Sequence, residues 1–293
     1  MNAAQAEPAR SPFRLNGRQL VPILILPILL VNAISFLWPT FSLLRMSLNE
    51  PVAGGAIRET LTLQTYIDVM TDGFYLELVW NSIYLCSIIT IVTLILSYPI
   101  ALFIHRADPK WRSILTLMVI SPLLVSAVVR TYGWVIILGD QGLINAFLMS
   151  TGLVERPARL IFNNFGVVVG LIEILMPYMI LSLMAGFGRL DPRLEEAAQS
   201  LGAKRFTTLR RVTIPLTAPG IALGCLLVFV LSISSFVTPK LLGGGRVFLL
   251  ATEIYDQSIV LLNWPLAASL SMLVLVIFGA ALVVYSRIVK ALD

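Results

Sequence analysis

Six apolar stretches, each about as long as a bilayer core is thick, decide most of what this chain can become. They run approximately over 20–44, 82–104, 114–138, 167–187, 216–237 and 266–285. A helix needs about 20 mostly apolar residues to cross the hydrocarbon of a membrane. Strands of a membrane barrel would instead alternate in segments of about 10 residues, and these runs are continuous. A soluble fold would have to bury all six behind a charged surface that the chain does not possess. Of its 293 residues 58% are hydrophobic and 13% charged, against roughly a quarter charged in ordinary soluble domains. The sequence therefore predicts an all-α, multi-pass membrane protein and excludes both a soluble globular domain and a disordered chain.

Basic residues set the orientation, because cytoplasmic connections are enriched in Lys and Arg. The two tails and the second and fourth connections hold fourteen: Arg10, Arg14, Arg18, Arg106, Lys110, Arg112, Arg189, Arg193, Lys204, Arg205, Arg210, Arg211, Arg287 and Lys290. The other three connections hold five, Arg58, Arg156, Arg159, Lys240 and Arg246, together with most of the acids. Both termini are thus expected in the cytoplasm. The first run resembles a secretory signal behind its arginines, but it is far longer than the 7–15 or so apolar residues of such a signal; it reads as an uncleaved first helix. The net charge of +5 is spread as a topology signal, with no basic domain to grip nucleic acid. Cys86 and Cys225 sit inside apolar runs as packed side chains, and one histidine, His105, offers neither a metal set nor a catalytic one. The expected layout is a tail over 1–19, a six-helix unit over 20–287 and a tail over 288–293. In the long connection 45–81, residues 61–70 suggest an amphipathic segment. Gly139, Gly142, Gly152 and Pro157 mark turns in 139–166.

The fourth connection, 189–215, is the most informative. Asp191 followed by Pro192 is a helix start, a side-chain cap and then a residue with a fixed φ and no N–H to waste. Gly202 suits a stop that needs positive φ. Between them Leu194, Ala197, Ala198 and Leu201 recur at helical spacing on one face. A second short basic helix over 204–211 is expected to lead to Pro215 and the fifth span. The first helix has small residues on its stripe and no aromatic anchor, which favours docking to a protein over resting on lipid headgroups.

Glu196-Ala197-Ala198, Gly202 and then Val212-Thr213-Ile214-Pro215, placed between the fourth and fifth of six spans, resemble the EAA loop of binding-protein-dependent ABC importer permeases. The closing Val-x-Ile-Pro stands where that family usually has Ile-x-Leu-Pro. The resemblance extends from about residue 22 to the C-terminus. Asn81-Ser82, Val129 to Trp134, Phe236 to Gly244 and Asn263-Trp264-Pro265 are similar to the B-type permease of the spermidine/putrescine branch. Such a resemblance implies the type I importer permease fold in the bacterial cytoplasmic membrane. It implies coupling to a separate ATPase through Glu195, Glu196, Ala197, Ala198, Leu201, Gly202 and Pro215. It also implies a second permease subunit, two ATPase subunits and a periplasmic solute-binding protein as partners. ATP and Mg would lie on the ATPase; none of the four lysines sits in a phosphate-binding GxxxxGK[ST] loop, and this chain is expected to carry no cofactor and to be no enzyme.

Charges inside spans usually face protein or a water-filled cavity. Arg130 and Glu173 fall at comparable depth in the third and fourth spans, which fits either a structural salt bridge or a pathway wall that meets a cationic solute. An organic cation would be met by acids and aromatic faces. Tyr132, Trp134, Tyr178, Phe229 and Phe236, with the hydroxyls of Ser235 and Thr238, lie in the matching spans; packing or an interfacial belt explains aromatics equally well. The expected function is half of the translocation pathway of an ATP-driven importer, for a polyamine such as spermidine or putrescine. Import of another small solute, such as an amino-acid derivative or opine, is the alternative. An ion-coupled secondary transporter would need a midplane ion site and repeated halves, for which Glu173 alone is thin support.

Overall fold

The computed structural model describes residues 17–52, 56–188 and 190–292. Arg10, Arg14 and Arg189 lie outside the described residues, as do residues 1–16 of the expected tail. Among the described residues six helical segments are long and apolar enough to span a membrane: Ile25–Ser47, Gly73–Arg106, Ala127–Ser150, Asn164–Phe187, Arg205–Ser234 and Trp264–Ala291. Helix α1 (Gly17–Ser47) is followed by a small antiparallel hairpin, β1 (Glu50–Val52) and β2 (Ala56–Arg58), and by α2 (Gln64–Thr71). The hairpin is a minor exception to the all-helical expectation, and α2 occupies the segment expected to be amphipathic.

Helix α3 (Gly73–Arg106) starts where the Asp72 carboxylate accepts the Phe74 N–H at 2.9 Å; a cap of this kind contributes about 1 kcal/mol. The third span departs from the continuous 114–138 helix expected of it. Helix α4 (Pro109–Ile120) gives way to a 3-10 turn over Ser121–Leu124, and α5 (Ala127–Leu138) and α6 (Leu143–Ser150) follow. Pro122 lacks an N–H and clashes with the preceding turn. No residue of α4 or of the 3-10 turn is fully buried, and Leu115 and Val119 of α4 are only partly buried against the core, so little packing energy opposes the break. Pro99 and Pro177 lie within continuous helices instead, α3 and α7 (Asn164–Phe187). Both helices are packed on several sides, which holds the ladder around the missing bond.

After α7 come α8 (Pro192–Ser200), α9 (Arg205–Thr208), a π-helical turn over Leu209–Thr213 and α10 (Ile214–Ser234). The basic helix expected over 204–211 does not stand apart from the fifth span. The rod is continuous from Arg205 to Ser234, because the wide turn, in which Ile214 N–H reaches Leu209 O, relieves the crowding that Pro215 would impose on a normal turn. Helices α11 (Val237–Gly243) and α12 (Leu250–Tyr255) precede α13 (Trp264–Leu292). The residues read as a tail over 288–293 therefore continue the last helix as far as Leu292.

Helix α7 is the centre of the molecule. Of its most apolar membrane-length window 61% is buried, against none for α1; it lies between α3 and α10. Lipid tails are as apolar as leucine, so helices in a bilayer gain little by hiding apolar surface and associate through close packing. Gly186 and Gly220 supply that approach between α7 and α10. A Cβ on Gly220 would stand 2.6 Å from Gly186 Cα. A second cluster, including Val69, Cys86, Ile233, Leu250 and Leu270, joins α2, α3, α12 and α13 at the other end of α10. Helix α1 rests on α13, where Ser269 donates to Ser47 O at 3.3 Å.

Candidate functional site

Residues 191–203 build a short helix with both ends capped. The Asp191 carboxylate accepts the Arg193 N–H at 3.0 Å, with Pro192 as the first helical residue. At the other end Gly202 has φ +86°. Its N–H reaches Gln199 O at 2.9 Å, and Ala203 N–H reaches Ala198 O at 3.0 Å. This paired arrangement satisfies the last free carbonyls of a helix. Leu201 is 90% exposed, and Glu196 and Ala197 are exposed beside it, with Ala198 half-buried. The apolar stripe thus faces away from the rest of the chain.

Glu195 ties this helix to two others. Arg106, the last residue of α3, places its Nη2 3.1 and 3.0 Å from the two Glu195 oxygens, and the Thr213 hydroxyl donates to Oε1 at 2.6 Å. The bonds cross from α8 to the end of the second span and to the base of the fifth. Glu195 thus links α8 to both spans. Pro215 stands two residues beyond Thr213 in the rod and is exposed; it does not terminate the loop.

Toward the opposite end of the bundle, Arg130 Nη1 lies 3.3 Å from Glu173 Oε1, and the Trp134 indole N–H points to Oε2 at 3.4 Å. Of the two open readings of this pair, the structure places both residues in contact. Thr131 and Thr238 hydroxyls meet at 3.0 Å, fastening α5 to α11. Phe236 stacks on Tyr255 with centroids 5.1 Å apart. The remaining sequence candidates are not gathered there. Tyr132 is 53% exposed; Tyr178 and Phe229 pack against different clusters; the Ser235 hydroxyl returns to Leu231 O in its own helix.

A model of the binding-protein-dependent transport system inner membrane component matches residues 19–293. The chain belongs to that family. Among proteins similar to this permease are the spermidine/putrescine transport system permease proteins PotB of Haemophilus influenzae and Escherichia coli. The first is 35% identical over 233 residues, covering 80% of this chain and 81% of the relative. The second is 34% identical over 237 residues, covering 81% and 86%. In fold, the permease resembles a chain of a bacterial ABC transporter involved in alginate import, with a TM-score of 0.73, 19% identity and 92% and 95% coverage. It also resembles a chain of the MetNI methionine ABC transporter, with a TM-score of 0.55, 14% identity and 76% and 100% coverage. The chain is therefore an ABC importer permease, a multi-pass protein of the bacterial inner membrane with the six-helix importer fold.

Within this permease, sequence reasoning missed Arg106, Thr213, Lys240, Tyr255 and Asp256. The first two stood in plain sight as a basic residue ending a span and as the threonine of Val-Thr-Ile-Pro. Lys240 and Asp256 registered only as topology charges, although opposite charges in one outer connection were a usable signal. Asn81 also reaches across the fold, donating to Phe248 O at 3.0 Å. Asn32, within the first span, bonds Ile28 O in its own helix.

Proposed function

We propose that this chain is the B-type permease of a polyamine importer, one of two permease subunits that together enclose the pathway. Two copies of an ATPase, which hold the ATP and Mg, would bind at the cytoplasmic face, and a periplasmic solute-binding protein would deliver spermidine or putrescine. Both termini and the 189–215 loop would face the cytoplasm. The stripe of Leu194, Ala197, Ala198 and Leu201, with Glu196 beside it, would dock into the ATPase; closure of the ATPase would push α8. The observation that supports this most directly is the Glu195 junction, since a docked helix can move spans only if it is fastened to them. The polyamine assignment draws on the similarity to the two PotB proteins. Arg130, Trp134 and Glu173 would lock α5 against α7 in the pathway wall.

Uptake of labelled spermidine and putrescine by cells expressing this chain with its partner subunits, against cells lacking the chain alone, tests the proposal. ATP-dependent uptake that disappears with the chain is the expected result. An assembled complex that carries neither solute would overturn the polyamine assignment and leave import of another small solute. Uptake driven by an ion gradient without ATP would overturn the importer mechanism.

A further inference from the structure

Between the fifth and sixth spans the chain holds one of its own ammonium groups as a ligand. Lys240, on α11, donates from Nζ to both carboxylate oxygens of Asp256, with Oδ2 at 2.6 Å. The same Nζ lies 5.7 Å from the ring centroid of Tyr255, within the range where an aromatic face attracts a cation. Tyr255 is stacked in turn on Phe236, 12° from parallel. These two rings also border a cavity of about 470 Å³ between α10, α12 and α13. Its other walls are mostly aliphatic, with hydroxyls from Ser234, Ser258 and Ser271. Neither charged side chain is sealed off, Lys240 being 39% and Asp256 30% exposed. Exchange with an outside cation needs no opening of the core.

The chemistry of the occupant names the ligand. A lysine side chain beyond Cβ ends in a flexible alkyl chain bearing a primary ammonium, the same kind of group that terminates an aliphatic polyamine. We infer that Asp256, Tyr255 and Phe236 form a site for the alkylammonium end of the solute, in which Lys240 is a tethered competitor. Arrival of the solute displaces Lys240, the carboxylate and ring take the incoming ammonium, and the alkyl spacer lies along the apolar cavity. A monovalent metal ion has no alkyl chain to fill the cavity and gains less from it. The inference rests on the polyamine assignment made above.

Four permeases, each in the complete transporter, separate this from a structural ion pair: wild type, Asp256→Asn, Lys240→Met and the exchanged pair Lys240→Asp/Asp256→Lys. Putrescine and spermidine uptake is measured per assembled complex. Asp256→Asn is expected to lose about tenfold or more, the usual consequence of removing a charged hydrogen-bond acceptor. Lys240→Met is expected to keep or raise uptake at low solute, because only the competitor is gone. The exchanged pair should assemble and still fail to transport, since its carboxylate no longer adjoins Tyr255. Equal losses in Lys240→Met and Asp256→Asn, or recovery of uptake in the exchanged pair, would show a structural bridge and overturn the site. Normal uptake in Asp256→Asn would overturn it as well. If the assembled wild type takes up neither polyamine, the assignment itself has failed and the site falls with it.

Discussion

Glu195 and Thr213 are 18 residues apart in the chain and joined by a 2.6 Å hydrogen bond, while the same carboxylate is paired with Arg106 at 3.0 Å. The two partners are not equal. Arg106 is half-exposed, and an exposed ion pair contributes about 0–1 kcal/mol. Glu195 is only 15% exposed, and a hydrogen bond to a charged group is worth about 1.5–3 kcal/mol.

The first prediction follows from that inequality. Thr213→Val should loosen α8 from the fifth span more than Arg106→Met loosens it from α3, and Glu195→Ala should exceed both. The measurement is solute imported per ATP hydrolysed in the complete transporter, with insertion of the permease checked separately. The expected order of loss is Glu195→Ala, then Thr213→Val, then Arg106→Met. A greater loss in Arg106→Met than in Thr213→Val would mean that the junction acts through α3.

Gly202 gives a purely conformational test. A Cβ there would meet nothing within 4 Å, so the cost of Gly202→Ala is the left-handed backbone alone, about 1–2 kcal/mol. Asn tolerates that region better. Gly202→Asn should therefore retain more transport and more copurifying ATPase than Gly202→Ala, with Gly202→Asp as a further test of the docking face. Equal loss in Ala and Asn variants would point to a steric role for the glycine in a partner's cleft.

The crossing of α7 and α10 predicts a stability defect. A Cβ at Gly220 would come within 2.6 Å of Gly186 Cα, and one at Gly186 within 2.9 Å of Gly220 Cα. Backbone cannot step aside as a side-chain tip can, and overpacking costs about 1–3 kcal/mol. Gly220→Ala and Gly186→Ala should each lower the melting temperature of the detergent-solubilised permease. Gly133→Ala is the control, because its Cβ would meet nothing within 4 Å. A melting temperature unchanged in both crossing variants would remove the close contact as a determinant of the fold.

Much of this architecture is written in the sequence because a bilayer leaves few options. The apolar runs other than the third, the Asp191 cap and the Gly202 stop each answer one local requirement, and the structure meets each where it was expected. The third span and Pro215 went differently because neither outcome is local. Pro122 and Pro177 are the same residue type in apolar runs. Pro122 breaks its helix for want of packing, and Pro177 is held by α3 and α10. The same limit governs the sites. Arg130 and Glu173 were visible as costly charges within spans. The Lys240–Asp256 pair and the Glu195 junction join residues 16 and 18 positions apart, and only the fold brings them together. Helical spacing finds a face; it does not find which neighbouring face it meets.

Topology can be tested with single cysteines. Leu61 is 78% exposed, and Ser150, at the end of α6, and Lys204, in its loop, are exposed. The native Cys86 is buried and Cys225 half-buried, so replacing both with Ala leaves a low background. Cysteines at 61 and 150 should react with a membrane-impermeant thiol reagent added to the periplasmic side, and a cysteine at 204 only after the membrane is opened. The reverse pattern would invert the proposed orientation and move α8 away from any cytoplasmic ATPase.

The last prediction concerns Arg130 and Glu173. Removing one member of a buried ion pair costs about 3–5 kcal/mol because the other charge is left unpaired. Here Glu173 is 31% exposed, and solvent screening reduces that figure. The penalty does not vanish, because Arg130 is only 12% exposed and its Nε already lacks a partner. Glu173→Gln should therefore reduce the amount of assembled permease, while still accepting a hydrogen bond from Trp134. The charge-free double variant Arg130→Met/Glu173→Gln should recover much of that assembly, since it leaves no unpaired cation between α5 and α7. Uptake per assembled complex then separates lock from pathway contact. Uptake that returns with assembly assigns the pair to holding α5 on α7. Uptake that stays low in a fully assembled double variant assigns the Glu173 carboxylate to the solute's path.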